Sequence, residues 1–154
     1  VVDDVRNFLF GPPGSGGFDL ASLNIQRGRG HGLADFNQTR IDYGLRPLQS
    51  FSDIKAPRST KQRLAGAYDN INEIDLWVGG LSESPKKDAL VGPTFHAILK
   101  DQFERLRDGD RFFYESYLPK NLVRLVNQQT LSRIIRRNTD IGDELPSNVF
   151  VRKK

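Results

Sequence analysis

Four residues near the start of the chain have types and spacing that could hold a ligand. They recur at i, i+3, i+4 and i+7, the spacing of one face of an α-helix, and are Leu20, Leu23, Asn24 and Arg27. Two polar groups thus interrupt an apolar stripe. If this face is buried, the amide needs hydrogen-bond partners and the guanidinium needs an anion. The residues alone leave two interpretations open: a satisfied structural network, or contact with a ligand.

Histidine-based chemistry has little support in the sequence. The chain has two histidines, His31 and His96, which lie far apart and belong to no motif such as His-Glu-x-x-His. His31 lies in a glycine-rich segment and His96 in an amphipathic one, so structural or solvent-exposed roles are predicted for both. The absence of cysteine excludes disulfides, thiolate metal sites and cysteine nucleophiles.

Composition indicates an ordinary globular chain. Hydrophobic residues make up 37% of the 154 residues, and no apolar run approaches the roughly 18 residues that a membrane helix requires. The net charge of +4 raises nucleic acid as a partner. The positive charge is spread over short clusters with few aromatic residues nearby, so solvated helix faces are predicted and nucleic-acid binding is not. The clusters are Arg27/Arg29, Arg133/Arg136/Arg137 and Arg152/Lys153/Lys154.

The element that must position Asn24 and Arg27 is a helix capped by Asp19 and running through Arg27. Glycines at positions 28, 30 and 32 are predicted to end it. Before it, residues 1–10 are predicted to form a helix and residues 11–18 a Gly/Pro loop. Because the chain starts within that helical run and without methionine, a processed or truncated product is expected.

The remaining chain predicts a mainly α body over residues 19–154. Capping residues and apolar periodicity indicate further helices, and residues 45–58 are predicted to be a surface connection. The predicted helices cover about 34–43, from Thr60 to about 70, from Pro93 or Thr94 to Gly109, 119–128, and 131–137. Residues 74–80 have the composition of a short strand, although nothing else in the sequence offers a strand partner.

Read as a string, residues 19–33 closely resemble a hallmark segment of animal-type haem peroxidases, the family of the myeloperoxidases, lactoperoxidases and peroxidasins. Later segments agree in the same order. They are Asn72–Gly80 with Ser82-Glu83, Val91–Pro93, Asp101–Phe112, and Leu131–Ile135 with Asn138-Thr139. The resemblance covers nearly the whole chain and implies that residues 1–154 form the C-terminal, helical portion of that peroxidase fold.

The resemblance also implies roles for the four residues of the helical face. Asn24 would accept a hydrogen bond from the proximal histidine, the axial ligand of haem iron, and would fix the orientation of its ring. Arg27 would pair with a haem propionate. Leu20 and Leu23 would pack beside the porphyrin on the proximal side. The implied cofactor is therefore haem, shared with an N-terminal part of the peroxidase.

The family's remaining chemistry lies upstream of the matched segment: the distal histidine and arginine, the proximal histidine, the calcium loop and the haem-esterifying carboxylates. Neither His31 nor His96 stands at a family ligand position. The complete protein is expected to use hydrogen peroxide to oxidise a halide or organic donor, whereas this chain alone is expected to be inactive.

The resemblance further implies a secreted or extracytoplasmic protein, and the absence of cysteine indicates a bacterial member. One alternative stays open: a non-catalytic helical interaction module that retained the peroxidase scaffold.

Overall fold

Helices form the regular structure of residues 19–87 and 89–150, the residues that this computed structural model describes, and no strand occurs among them. The mainly α prediction is confirmed. The predicted helix over 1–10 and loop over 11–18 lie outside the described residues. The helices are α1 Leu20–Gly30, α2 Phe36–Asp42, α3 Arg58–Ala67, α4 Leu76–Ser82, α5 Pro93–Gly109, α6 Tyr114–Tyr117, α7 Lys120–Asn127 and α8 Leu131–Asn138.

Local signals placed most of these helices correctly. The side chain of Asp19 accepts a hydrogen bond from the backbone N–H of Ala21 at the start of α1, and Thr130 caps α8 in the same way through Arg133. The predicted end of α1 at Arg27 is wrong, because the helix continues through Gly28 to Gly30. The turn follows at Gly32, whose φ of 64° lies in the left-handed region that favours glycine.

Residues 74–80, which have the composition of a strand but no strand partner in the sequence, form no strand, because α4 begins at Leu76 after a short 3₁₀ turn at Ile71–Glu73. The helix brings Gly79 against the ring of Phe36 and Gly80 against the ring of Phe95, so closely that a Cβ atom at either glycine would collide with the ring. Close packing of a backbone against two aromatic rings thus decides the conformation of a segment that has no strand partner.

The chain divides into two compact units between residues 103 and 104. The hydrophobic core of the first unit consists of Phe36, Ile54, Leu64, Ile71 and Ile74. Ile54 is only 1% exposed, so the prediction that residues 45–58 form a surface connection is wrong at this position. This core supports α2, α3 and α4, and the backbone N–H of Phe36 donates to the carbonyl oxygen of Ile74 at 2.8 Å.

The second unit has amphipathic helices whose apolar faces are open. No hydrophobic side chain among its described residues 104–150 is buried. The exposed side chains on α7 and α8 include Leu122, Leu125, Val126, Leu131 and Ile134. Within the described part of the chain, no helix combines the length and the apolar character needed to cross a membrane.

Candidate functional site

A cleft of about 390 Å³ opens in the first unit beside the C-terminal half of α1. Its walls come from α1, from the connection to α2 and from the segment that enters α4. The residues that line it include Asn24, Ile25, Arg27, Gly28, Arg29, His31, Leu33, Asn72, Asp75 and Trp77. The structure therefore places Asn24 and Arg27, two of the four predicted site residues, in the wall of one cleft.

Asn24 and Arg27 are joined directly. Nη2 of Arg27 donates a hydrogen bond to Oδ1 of Asn24 at 2.6 Å, across one turn of α1. Arg27 is exposed and Asn24 is half-buried within this chain. Leu20 is half-buried, and Leu23 is 38% exposed. The face that carries all four side chains is therefore open for contact.

A second polar group lies at the same cleft, around the carboxylate of Asp75. Nε and Nη2 of Arg29 donate to the two carboxylate oxygens at 2.8 and 2.7 Å, and the hydroxyl of Tyr68 donates to Oδ2 at 2.8 Å. Hydrogen bonds from Arg29 hold the pKa of Asp75 below its ordinary value, and the bond from Tyr68 acts in the same direction. Burial raises the pKa of Tyr68, and its bond to Asp75 adds to the rise.

This pKa shift predicts a pH-dependent contribution to stability. Because folding lowers the pKa of Asp75 from about 3.8, the contribution is complete above that value and is lost as the pH falls through the folded-state pKa. We expect the difference in unfolding free energy between the wild type and Asp75→Asn to be constant near neutral pH and to shrink below about pH 4. Urea unfolding at a series of pH values measures it, and a difference that does not change with pH would contradict the expectation.

A buried ion pair fixes the elements behind the cleft. Nη1 of Arg40 on α2 donates to Oε1 of Glu83 at 2.6 Å and to Oγ1 of Thr94 at 2.9 Å. Oε2 of Glu83 also accepts the backbone N–H of Thr94 at 2.8 Å. Arg40 is 8% exposed and Glu83 is 7% exposed. These contacts connect α2, the end of α4 and the start of α5.

The contact between Arg40 and Glu83 was not predicted: Glu83 belongs to one of the motifs of the family resemblance, and no role was predicted for Arg40. No local signal marks either residue, because Arg40 lies in the mostly polar segment Phe36–Asp42 and Glu83 follows the last residue of α4. Their partners could not be identified, because they lie 43 residues apart in the chain.

Comparison with known proteins decides the family. A family model described as animal haem peroxidase matches residues 1–150. The chain belongs to the animal haem peroxidase family. It is 43% identical over 150 residues to peroxinectin A of Dictyostelium discoideum, in a match that covers 97% of this chain and 28% of that protein. A peroxidasin homologue of Caenorhabditis elegans is 44% identical over 138 residues, which are 86% of this chain and 10% of the relative.

A solved peroxidase has the same fold over most of this chain. The structure of peroxidase A from Dictyostelium discoideum superimposes with a TM-score of 0.78 at 45% identity, covering 90% of this chain and 27% of that one. The chain therefore spans little more than a quarter of the length of these relatives, or less. These matches confirm two predictions made from the motifs: the chain belongs to this family, and it has the helical fold of a portion of the animal haem peroxidases.

Membership of a haem peroxidase family implies haem, and the open face of α1 has the chemistry to hold it. A guanidinium carries five N–H groups, so Arg27 can bind Asn24 and a carboxylate at the same time. The amide oxygen of Asn24 has two lone pairs and can accept a second N–H beside that of Arg27. Leu20 and Leu23 offer apolar surface on the same helix. These four residues fit a flat, largely apolar group that carries carboxylates.

The two histidines occupy positions that agree with the roles predicted for them. His31 is exposed and follows the last residue of α1, where its backbone N–H donates to the carbonyl oxygen of Arg27. His96 is half-buried on α5, and its Nδ1 lies 3.5 Å from Nζ of Lys86. Over residues 19–87 and 89–150, no group of three or more histidine, aspartate or glutamate side chains could hold a metal ion.

Proposed function

We propose that this chain supplies proximal-side haem contacts in a peroxidase that uses hydrogen peroxide to oxidise a halide or an organic donor. The observation that carries the proposal is the pair of Asn24 and Arg27, hydrogen-bonded at 2.6 Å on the open face of α1 in a member of this family. Haem is the proposed cofactor, and secretion or another extracytoplasmic location is proposed from the same family resemblance.

The residues of α1 would hold the haem and orient the histidine that binds its iron. Arg27 would hold a propionate through charge-assisted hydrogen bonds. Oδ1 of Asn24 would accept a ring N–H from the iron-ligating histidine that the N-terminal part would supply, and this bond would orient that ring and make it a stronger electron donor. Leu20 and Leu23 would exclude water from the proximal side. When bound, haem supplies the iron that reacts with peroxide and accepts electrons from the donor.

Proton transfer to and from peroxide is assigned to residues outside this chain. His31, which also lines the cleft, is exposed after the end of α1, and His96 lies on α5; by the family resemblance, neither stands at a ligand position. We therefore propose that an N-terminal part of the peroxidase supplies the axial histidine, the distal residues and most of the donor channel. The match to only 28% of peroxinectin A supports the existence of that part.

The exposed apolar faces of the second unit also favour the N-terminal part of the peroxidase as a partner. A compact unit of about 50 residues needs a buried core or a partner to be stable. The described residues 104–150 bury no hydrophobic side chain, whereas α7 and α8 expose a row of leucine, isoleucine and valine. We propose that these faces pack against the N-terminal part, where burial of each such side chain contributes about 1.5–3 kcal/mol.

A charge placed on this face should weaken assembly. Leu125 is 54% exposed on α7, so Leu125→Asp costs little in the separate chain but would bury a carboxylate in the assembled protein. We expect at least a roughly tenfold rise in the dissociation constant between this chain and the N-terminal part, which corresponds to about 1.4 kcal/mol. Isothermal titration measures it. The matched control is Asn127→Asp, an exposed position on the opposite side of α7 from Leu125, and equal effects of the two variants would contradict the assignment of the face.

The function itself is tested in the complete protein, with the N-terminal part present. Purified with haem, it should show a Soret band and oxidise a phenolic or halide donor in the presence of hydrogen peroxide. The variant Asn24→Ala should keep most of its haem, show a shifted iron reduction potential and lose turnover. A folded complete protein that binds no haem would instead favour the non-catalytic interaction module.

A further inference from the structure

The helix that carries Asn24 and Arg27 has few apolar anchors. None of the residues of α1 is buried, and its face with Leu20 and Leu23 is open. A helix of this length gains most of its stability from packing, and an element with few buried contacts opens easily. The position of α1 must therefore depend strongly on polar contacts with the rest of the first unit.

One such contact, the ion pair between Arg29 and Asp75, lies at its C-terminal end. Arg29, two residues after Arg27, makes two parallel hydrogen bonds to Asp75 at 2.8 and 2.7 Å. A bidentate pair of this kind fixes orientation as well as distance, because both planar groups must remain coplanar. Asp75 immediately precedes α4, the helix that packs its glycines against Phe36 and Phe95. The end of α1 is thus tied to the best-packed part of the unit.

Asp75 is itself held in place. Its side chain is 14% exposed, and its Oδ2 accepts the hydroxyl of Tyr68, the residue that follows α3. Tyr68 in turn packs against the hydrophobic core. One carboxylate therefore joins the end of α1, the end of α3 and the start of α4.

We infer that Asp75 is a positioning residue for the haem-binding helix: through Arg29 it fixes the turn of α1 that presents Asn24 and Arg27 to the cofactor. The side chain of Asp75 bonds to Arg29 and Tyr68, neither of which is among the four residues assigned to haem contact. The inference rests on the proposed function for its consequence, although the anchoring of α1 can be measured without haem. It predicts that a substitution at Asp75 weakens the anchor, the contact between Arg29 and Asp75, without removing any of the four side chains that would contact haem.

The chemistry requires a carboxylate at position 75. An asparagine there would place an NH₂ group opposite one N–H of Arg29, so that two donors face each other and one hydrogen bond is lost. Tyr68→Phe is a milder change, since it removes the hydroxyl that orients the carboxylate and leaves the ion pair in place. The two variants should therefore give graded effects on α1.

The experiment is amide hydrogen exchange of residues 20–30 in the complete protein, both haem-free and haem-loaded, together with haem titration. For Asp75→Asn we expect about tenfold faster exchange in this segment and a haem dissociation constant raised about tenfold, the size of effect expected for losing a charge-assisted hydrogen bond. Tyr68→Phe should give smaller changes in the same direction. The iron reduction potential should also shift, which a general loss of stability would not produce.

Asp108→Asn is the matched control. Asp108 accepts a single hydrogen bond from Nε of Arg107 at 2.7 Å within the second unit, so the substitution breaks an exposed ion pair in which α1 takes no part. Unchanged exchange over residues 20–30 in Asp75→Asn, or an equal effect of Asp108→Asn on that segment, would overturn the inference. Should Asp75→Asn fail to fold, the same criterion applies to Tyr68→Phe.

The two proposals can fail separately. A wild-type protein that binds no haem, but whose α1 exchanges faster in Asp75→Asn, would disprove the proposed function and leave the anchor in place. A wild-type protein that binds haem normally, but whose α1 exchanges at an unaltered rate in Asp75→Asn, would disprove the anchor and leave the proposed function in place.

Discussion

Glu83→Ala is expected to lower the free energy of unfolding by about 3–5 kcal/mol, the range for breaking a buried ion pair from one side. Arg40 is only 8% exposed and would keep its charge without its carboxylate partner. The backbone N–H and the hydroxyl of Thr94 would lose their acceptor as well. Because these contacts connect α2, α4 and α5, their loss should affect the first unit as a whole.

Urea unfolding followed by tryptophan fluorescence measures this effect, since Trp77 on α4 is the one tryptophan of the chain. The control is Glu144→Ala, which removes an exposed glutamate and should change the unfolding free energy by less than about 0.5 kcal/mol. A loss below about 1 kcal/mol for Glu83→Ala would mean that water replaces Glu83 at Arg40 and that the pair does not organise the unit.

Arg27→Ala is expected to weaken haem binding in the complete protein by about 10- to 100-fold, equivalent to the 1.5–3 kcal/mol of a hydrogen bond to a charged group. The exposed guanidinium lies in the wall of the cleft and is held at Asn24, so the unbound protein already presents it for a carboxylate. Arg27→Lys should recover part of the affinity, because it restores the charge but not the bidentate geometry.

Haem titration of the haem-free protein gives the dissociation constants, and Gln26→Ala is the matched control. Gln26 is exposed on the same helix and is not among the residues that line the cleft. Similar haem affinities for Arg27→Ala and Gln26→Ala would contradict the contact with a propionate.

The sequence predicted those elements whose signals are local. Asp19 and Thr130 mark helix starts through their own side chains. The apolar periodicity from Phe95 onwards predicted α5, which begins at Pro93 and ends at Gly109 as expected. Capping and periodicity act over a few residues, so a single sequence is sufficient to identify them.

Tertiary contacts determine the features that the sequence could not predict. The conformation of residues 74–80 depends on the rings of Phe36 and Phe95, which lie far away in the sequence. Likewise, Arg29 meets Asp75 across 46 residues, and only the folded chain shows the pairing. The spacing of Leu20, Leu23, Asn24 and Arg27 predicted one helical face on α1, but spacing cannot tell whether the partner of a face belongs to the same part of the protein.

The most direct test of the account is the haem content of the complete protein, with the Soret absorbance measured per polypeptide for the wild type and for the double variant Asn24→Ala/Arg27→Ala. We predict one haem per wild-type chain, and a double variant that folds but loses haem on dilution or gel filtration. A double variant that retains stoichiometric haem with unchanged affinity and an unchanged reduction potential would show that α1 is not the proximal-side contact.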